Sequence, residues 1–99
     1  MSDTLILQPH GNDGCNPDQE PWEPGSGHAV EIHNESGADQ TLSDISPGCL
    51  TEVGGGTVTS ISIAKDGKWV GRAGSTRGYY TYNDGEPERG LRRGTIDPS

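Results

Sequence analysis

Sixteen glycines and seven prolines cut this 99-residue chain into short runs. That punctuation removes most architectures from consideration. Glycine inside a helix costs conformational entropy, and proline removes a donor and clashes with the preceding turn. No segment holds a 3.6-residue apolar period, so no helix is expected. Several segments instead alternate apolar and polar residues at the two-residue period of a half-buried strand. His28–His33 does so, with Val30 and Ile32 inward and Glu31 and His33 outward. Further strands are expected over Thr4–Gln8, Gln40–Ile45 with Leu42 inward, Thr57–Ile63 with Ile61 and Ile63 on one face, Tyr79–Tyr82 and Gly94–Ile96. About six to eight short strands with frequent turns predict an all-β sandwich or barrel.

The turns carry their own signals. Pro9 should end the first strand, because proline cannot donate to a central ladder. Residues 9–27 hold Pro9, Gly11, Gly14, Pro17, Pro21, Pro24, Gly25 and Gly27 among acidic residues, which reads as one long irregular loop. Trp22 lies in that loop, and its indole should pin the loop to the sandwich. Asp66-Gly67 lies between two alternating runs and reads as a type I′ hairpin turn, setting Ala64 opposite Trp69 and Ile63 opposite Val70.

Size and charge narrow the function classes. A chain this short is expected to form a single domain over 1–99 with a small core. Leu, Ile and Val total only 15, Phe is absent, and the net charge is -8. The charge is uneven. Residues 1–64 hold ten Asp or Glu and no Lys or Arg, while residues 65–99 hold all seven basic residues against five acids. An acidic surface repels phosphate backbones, so nucleic acid is not an expected partner. No stretch approaches the roughly 20 apolar residues of a membrane span. The first residues have neither a basic segment nor a long apolar core, so no signal peptide is expected. The expected location is the cytoplasm, or outside it if a leader has been trimmed. Cys15 and Cys49 do not form a C-x-x-C pair, and whether they join in a disulfide is left open.

Two segments resemble a known family. The first is Val30-Glu31-Ile32-His33-Asn34 followed by Gln40-Thr41-Leu42; the second is the Gly78-x-Tyr80-x-Tyr82 strand followed by Arg93-Gly94-Thr95-Ile96. Together they resemble a cupredoxin, the small blue-copper sandwich, over residues 28–96. The resemblance implies an antiparallel Greek-key sandwich. It also implies where copper ligands would stand: a His at Gln40, a Cys at Asp84, a second His near Pro87 and an axial Met at Arg92. No Cys, His or Met occurs anywhere from 79 to 96. A blue-copper centre needs a thiolate and two imidazoles with a weak axial donor. An amide, a carboxylate and a guanidinium do not supply them, so the resemblance implies the fold without its metal. Gln40, Asp84 and Arg92 are instead expected to pair as a polar clasp between strands.

Other constellations are weaker. His10, His28, His33, Cys15 and Cys49 are the only soft donors outside Met1, and a small metalloprotein built on them is the alternative reading. Against it, His28 and His33 are five apart on a strand and point to opposite faces. Asp13, Asp18, Glu20 and Glu23 crowd one segment but lack calcium-loop spacing. Asn34-Glu35-Ser36 has the N-glycosylation pattern, and Gly25-Ser26-Gly27 and Gly54-Gly55-Gly56 lack the rest of a phosphate loop. No nucleophile elbow or acid–base pair is visible, so an enzyme is not expected. Arg72, Arg77, Arg89, Arg92 and Arg93 form the basic cluster. The same segment carries Glu86 and Glu88, so internal pairing is the first expectation. Guanidinium forks of this kind also suit carboxylates or phosphates on a partner, or the acidic part of a second copy of this chain. The sequence therefore predicts a non-catalytic, cofactor-free binding module with a possible protein partner.

Overall fold

The computed structural model describes residues 2–86, 88 and 90–99. The described residues form nine strands: β1 Thr4–His10, β2 Gly14–Pro17, β3 Ala29–Asn34, β4 Gln40–Leu42, β5 Leu50–Thr51, β6 Ile61–Ile63, β7 Lys68–Ala73, β8 Gly78–Asn83 and β9 Leu91–Ile96. No α-helix occurs among the described residues. One layer is a five-stranded sheet in the order β2-β1-β3-β7-β5. The facing layer joins the pairs β4-β6 and β8-β9 through a bridge between Ser43 and Thr81. That bridge exchanges two backbone hydrogen bonds of 3.0 and 2.8 Å. Most pairings are antiparallel; β1 against β3 is parallel, with Leu5 beside Ile32.

The core lies between the layers. Leu5, Leu7, Val30, Ile32, Leu50 and Ala73 come from the first sheet; Leu42, Ile61, Ile63, Tyr80, Tyr82 and Ile96 come from the second. These are the inward positions that strand alternation marks, and Val30, Ile32, Leu42, Ile61 and Ile63 fall where the sequence places them. Trp22 closes one side. Its ring is fully buried, its indole N–H donates to the Ser2 carbonyl at 2.9 Å, and its backbone pairs with β9 beside Ile96. The expectation that it pins its segment therefore holds.

Two local expectations fail for identifiable reasons. Pro9 does not end β1, and residues 9–27 are not one irregular loop: the strand runs on to His10 and turns into β2, with Pro9 opposite Cys15. The alternation explains this. Ile6 exchanges hydrogen bonds with Asp18, while the Leu7 carbonyl accepts from Glu35 on the β3 side. Pro9 shares the Leu7 direction but lies beyond the end of the β1–β3 pairing, so its missing N–H breaks no ladder bond.

The second failure is the Asp66-Gly67 turn. β6 pairs with β4 and β7 with β3 and β5, so β6 and β7 lie in opposite layers. Trp69 faces Ile32 rather than Ala64. The turn is an arch: Gly67 N–H donates to Ala64 O at 2.8 Å, with Asp66 at φ 63°. Every connection from β3 to β8 changes layer in this way. Expected strand lengths shift accordingly. β4 stops at Leu42 before Asp44 at φ 50°, β6 shrinks to Ile61–Ile63, and β9 lengthens back to Leu91.

Candidate functional site

The loops at one end of the sandwich meet around three side chains. Asp84 follows β8, Arg92 sits in β9, and Gln40 begins β4. Asp84 and Gln40 are buried, 3% and 4% exposed, which is unusual for polar side chains without a role in pairing. One Asp84 oxygen accepts the Glu86 N–H at 3.0 Å, the local turn that short acidic side chains favour. The other accepts from Arg92 Nη1 at 3.4 Å. Arg92 stands opposite Tyr82 in the β8–β9 register, so its guanidinium reaches the end of β8 along the inner side of the pair.

Gln40 is held differently. Its amide nitrogen donates to Ser36 Oγ at 2.9 Å and to the Asp13 carbonyl at 3.0 Å. Ser36 in turn donates to Asn34 Oδ1 at 2.7 Å. Asn34 is buried, and its amide nitrogen donates to the carbonyls of Ala38, Ile63 and Ala64. The motif Asn34…Gln40 is thus one hydrogen-bonded network that ties β3, β4 and the β6–β7 arch together. A buried network of this kind is stable because each member is satisfied.

The β1–β2 turn lies between Gln40 and Asp84, and reading residues 9–27 as a loop hid it. Asn12 N–H donates to Gly85 O at 3.0 Å, and a His10 ring nitrogen lies 2.5 Å from the Asp84 carbonyl oxygen. The approach is backbone against backbone. A β-carbon added at Gly14 would fall 2.0 Å from the Gly85 nitrogen, and one at Gly11 2.5 Å from the Gly85 oxygen. Gly11 and Gly14 were visible in the sequence as turn signals; their packing against Gly85 was not. Arg92 and Asp84 therefore meet directly, and Gln40 joins them through this turn.

The remaining candidates disperse. His28 contacts Asp3 at 3.1 Å, and His33 contacts Glu31 at 2.6 Å on the outer side of the first sheet. Cys15 and Cys49 are both buried free thiols. Cys15 lies near Asp84 at the end of β8, whereas Cys49 packs against Gly78 at its start. A disulfide needs α-carbons within about 7 Å, and the length of β8 separates these two. Burial, with the Asp84 charge adding to it, pushes the Cys15 thiol up to about 11, so it stays protonated at neutral pH. Burial also raises Cys49. No group of three or more His, Cys, Asp or Glu among the described residues could hold a metal ion. The expected second His position, Pro87, and Arg89 of the basic cluster lie outside the described residues.

The three side chains at the family's ligand positions do not fit copper. Gln40 presents a nitrogen already donating, Asp84 a carboxylate, and Arg92 a cation that would repel another. None supplies the thiolate or imidazoles of a trigonal site.

No family model matches the sequence, and no curated protein matches it. Among solved structures, the fold is similar to a novel purple cupredoxin from Nitrosopumilus maritimus, at 17% identity and a TM-score of 0.56. The match covers 99% of this chain and 100% of that one. Two facing layers joined by cross-layer arches, with the loops and their polar cluster at one end, make this a cupredoxin-like fold.

Proposed function

We propose that the chain is a non-catalytic binding or interaction module on a cupredoxin-like sandwich that no longer binds copper. The observation that carries this reading is the buried Asp84 carboxylate paired with Arg92, where the family resemblance puts metal ligands. The clasp, with Gln40 and the β1–β2 turn, does mechanically what a bound ion would do: it ties the loop after β8 to its neighbours. The wider chemistry agrees. The perturbed groups are buried thiols and phenols raised by desolvation, or surface carboxylates lowered by hydrogen bonds, as structural groups are. Asp3 and Glu31 are each hydrogen-bonded to a histidine, His28 and His33, but at the half-exposed surface rather than in an enclosed site. An acidic chain with a basic C-terminal third fits a protein partner better than nucleic acid.

Two measurements test the clasp. Copper added at equimolar concentration should leave the amide signals of Gln40, Asp84 and Arg92 in place; stoichiometric binding with shifts at those residues would overturn the proposal. Arg92→Ala should lower stability by about 1 kcal/mol, discounted because Arg92 is half exposed. For a domain of this size that is a fall in Tm of roughly 5 °C. Amide exchange at Gly85, Glu86 and Leu91 should accelerate with it. Unchanged Tm and unchanged exchange would reject the clasp.

A further inference from the structure

The outer edge of β9 is half covered and half open. Along its lower half, Thr95 N–H donates to the Glu20 carboxylate at 2.9 Å, Trp22 N–H donates to the Thr95 carbonyl, and Asp97 N–H to the Trp22 carbonyl. Backbone groups alternate in direction along a strand, so those of Leu91 and Arg93 point the same way as those of Thr95. No described residue bonds to them on that side. An open strand edge is a template for an added strand.

The side chains beside this edge are specific. Leu91 is 60% exposed, although it sits in a strand and stands opposite Asn83. Arg93, opposite Thr81, holds its guanidinium carbon 4.8 Å from the centre of the Tyr79 ring. Tyr79 is itself exposed, so a cation–π contact presents Arg93 ready-positioned on the outer face. Among the described residues Arg93 makes no ion pair, whereas Lys68, Arg77 and Arg92 each have a carboxylate partner.

We propose that the open edge of β9 at Leu91 and Arg93 binds an extended segment of a partner protein by strand addition. The segment carries an acidic residue facing Arg93 and an apolar residue two positions away facing Leu91. Backbone pairing supplies the affinity in this mode, and the alternate side chains supply the choice of partner. Charge decides between a foreign segment and a second copy of this chain. Two β9 edges paired about a two-fold axis would bring Arg92 and Arg93 of each copy together, and like charges across a ladder are unfavourable. An acidic segment turns the same arginines to advantage.

The inference rests on the reading of the chain as a binding module, and it can fail separately. Its probe is a short capped peptide, Thr-Val-Thr-Glu-Thr-Val-Thr, which offers the same pattern in either strand direction. Titrated into the full chain, it should shift the amides of Leu91 and Arg93 and slow their exchange. A version with Lys in place of Glu should bind about tenfold more weakly, and Arg93→Glu should reverse that order. Arg93→Gln, a milder change, should weaken the Glu peptide without favouring the Lys one. A backbone N-methylated peptide should not bind. Absence of shifts at Leu91 and Arg93 at millimolar peptide, equal binding of the Glu and Lys versions, or unimpaired binding of the N-methylated one would overturn the inference. Copper binding at the clasp would sink the reading of a metal-free module while leaving the peptide result to decide the edge.

Discussion

Among the described residues, buried side-chain polar atoms are partnered, with one exception. Asn34 uses its amide nitrogen on three carbonyls and its oxygen on Ser36. Tyr80 is the contrary case. Its hydroxyl is buried and has no partner among the described residues, because its ring lies against Gly94, where an added β-carbon would fall 2.5 Å from that hydroxyl. Burial pushes its phenol far above the usual range. Removing an unpaired buried hydroxyl is close to neutral or favourable. Tyr80→Phe is therefore expected to leave the urea midpoint unchanged or raise stability by up to about 1 kcal/mol. A clear loss of stability would mean the hydroxyl has a partner after all. Sequence reasoning placed Tyr80 and Tyr82 in one strand, where both are buried while Tyr79 beside them is exposed. It could not see the missing partner, since that depends on Gly94 lying directly opposite in the register.

Elements were legible where the signal is local to one strand. The alternation of β3 and the β-branched run of β6 place their own inward residues, whatever the partner strand is. The Asp-Gly arch shows the limit. A turn signal specifies a reversal of direction, not the layer to which the chain returns. With β4 available to pair β6, and β3 and β5 to pair β7, the reversal crosses the core instead of closing a hairpin. Pro9 shows a second limit. A missing donor matters only on the side where a neighbour asks for it. The β1–β2 turn depends on glycines in the same way. Gly14→Ala should cost about 1–3 kcal/mol by forcing the turn off Gly85. Gly54→Ala, in open space and without positive φ, should be near neutral. Chemical denaturation of both variants checks the contrast; equal midpoints would mean the turn does not bear on the loop after β8.

Charge acts at the scale of the whole molecule. The acidic first two thirds and the basic remainder interleave, because β7 inserts between β3 and β5, and Lys68 reaches Glu31 at 3.7 Å. Asp3 is lowered chiefly by the Gly25 backbone N–H and then by His28. Glu31 is lowered chiefly by its hydrogen bond to His33 and then by Lys68. Depressed carboxylates contribute stability above their unfolded values, near 3.8 for Asp and 4.5 for Glu, and lose it as pH falls through the folded ones. Stability should thus hold from neutrality to about pH 5 and fall below about pH 4. Asp3→Asn should flatten part of that fall when urea midpoints are compared across pH. An identical acid profile in the variant would remove Asp3 from the account.

The bond from Asn12 to Gly85 joins residues 73 positions apart. A nascent polypeptide leaving the ribosome presents the first of these long before the second. Its amino-terminal ribbon emerges without the surface it will rest on, and a chain halted before Gly85 has no ledge on which to seat it. The turn between the first two strands therefore docks only after the loop beyond the eighth has been made.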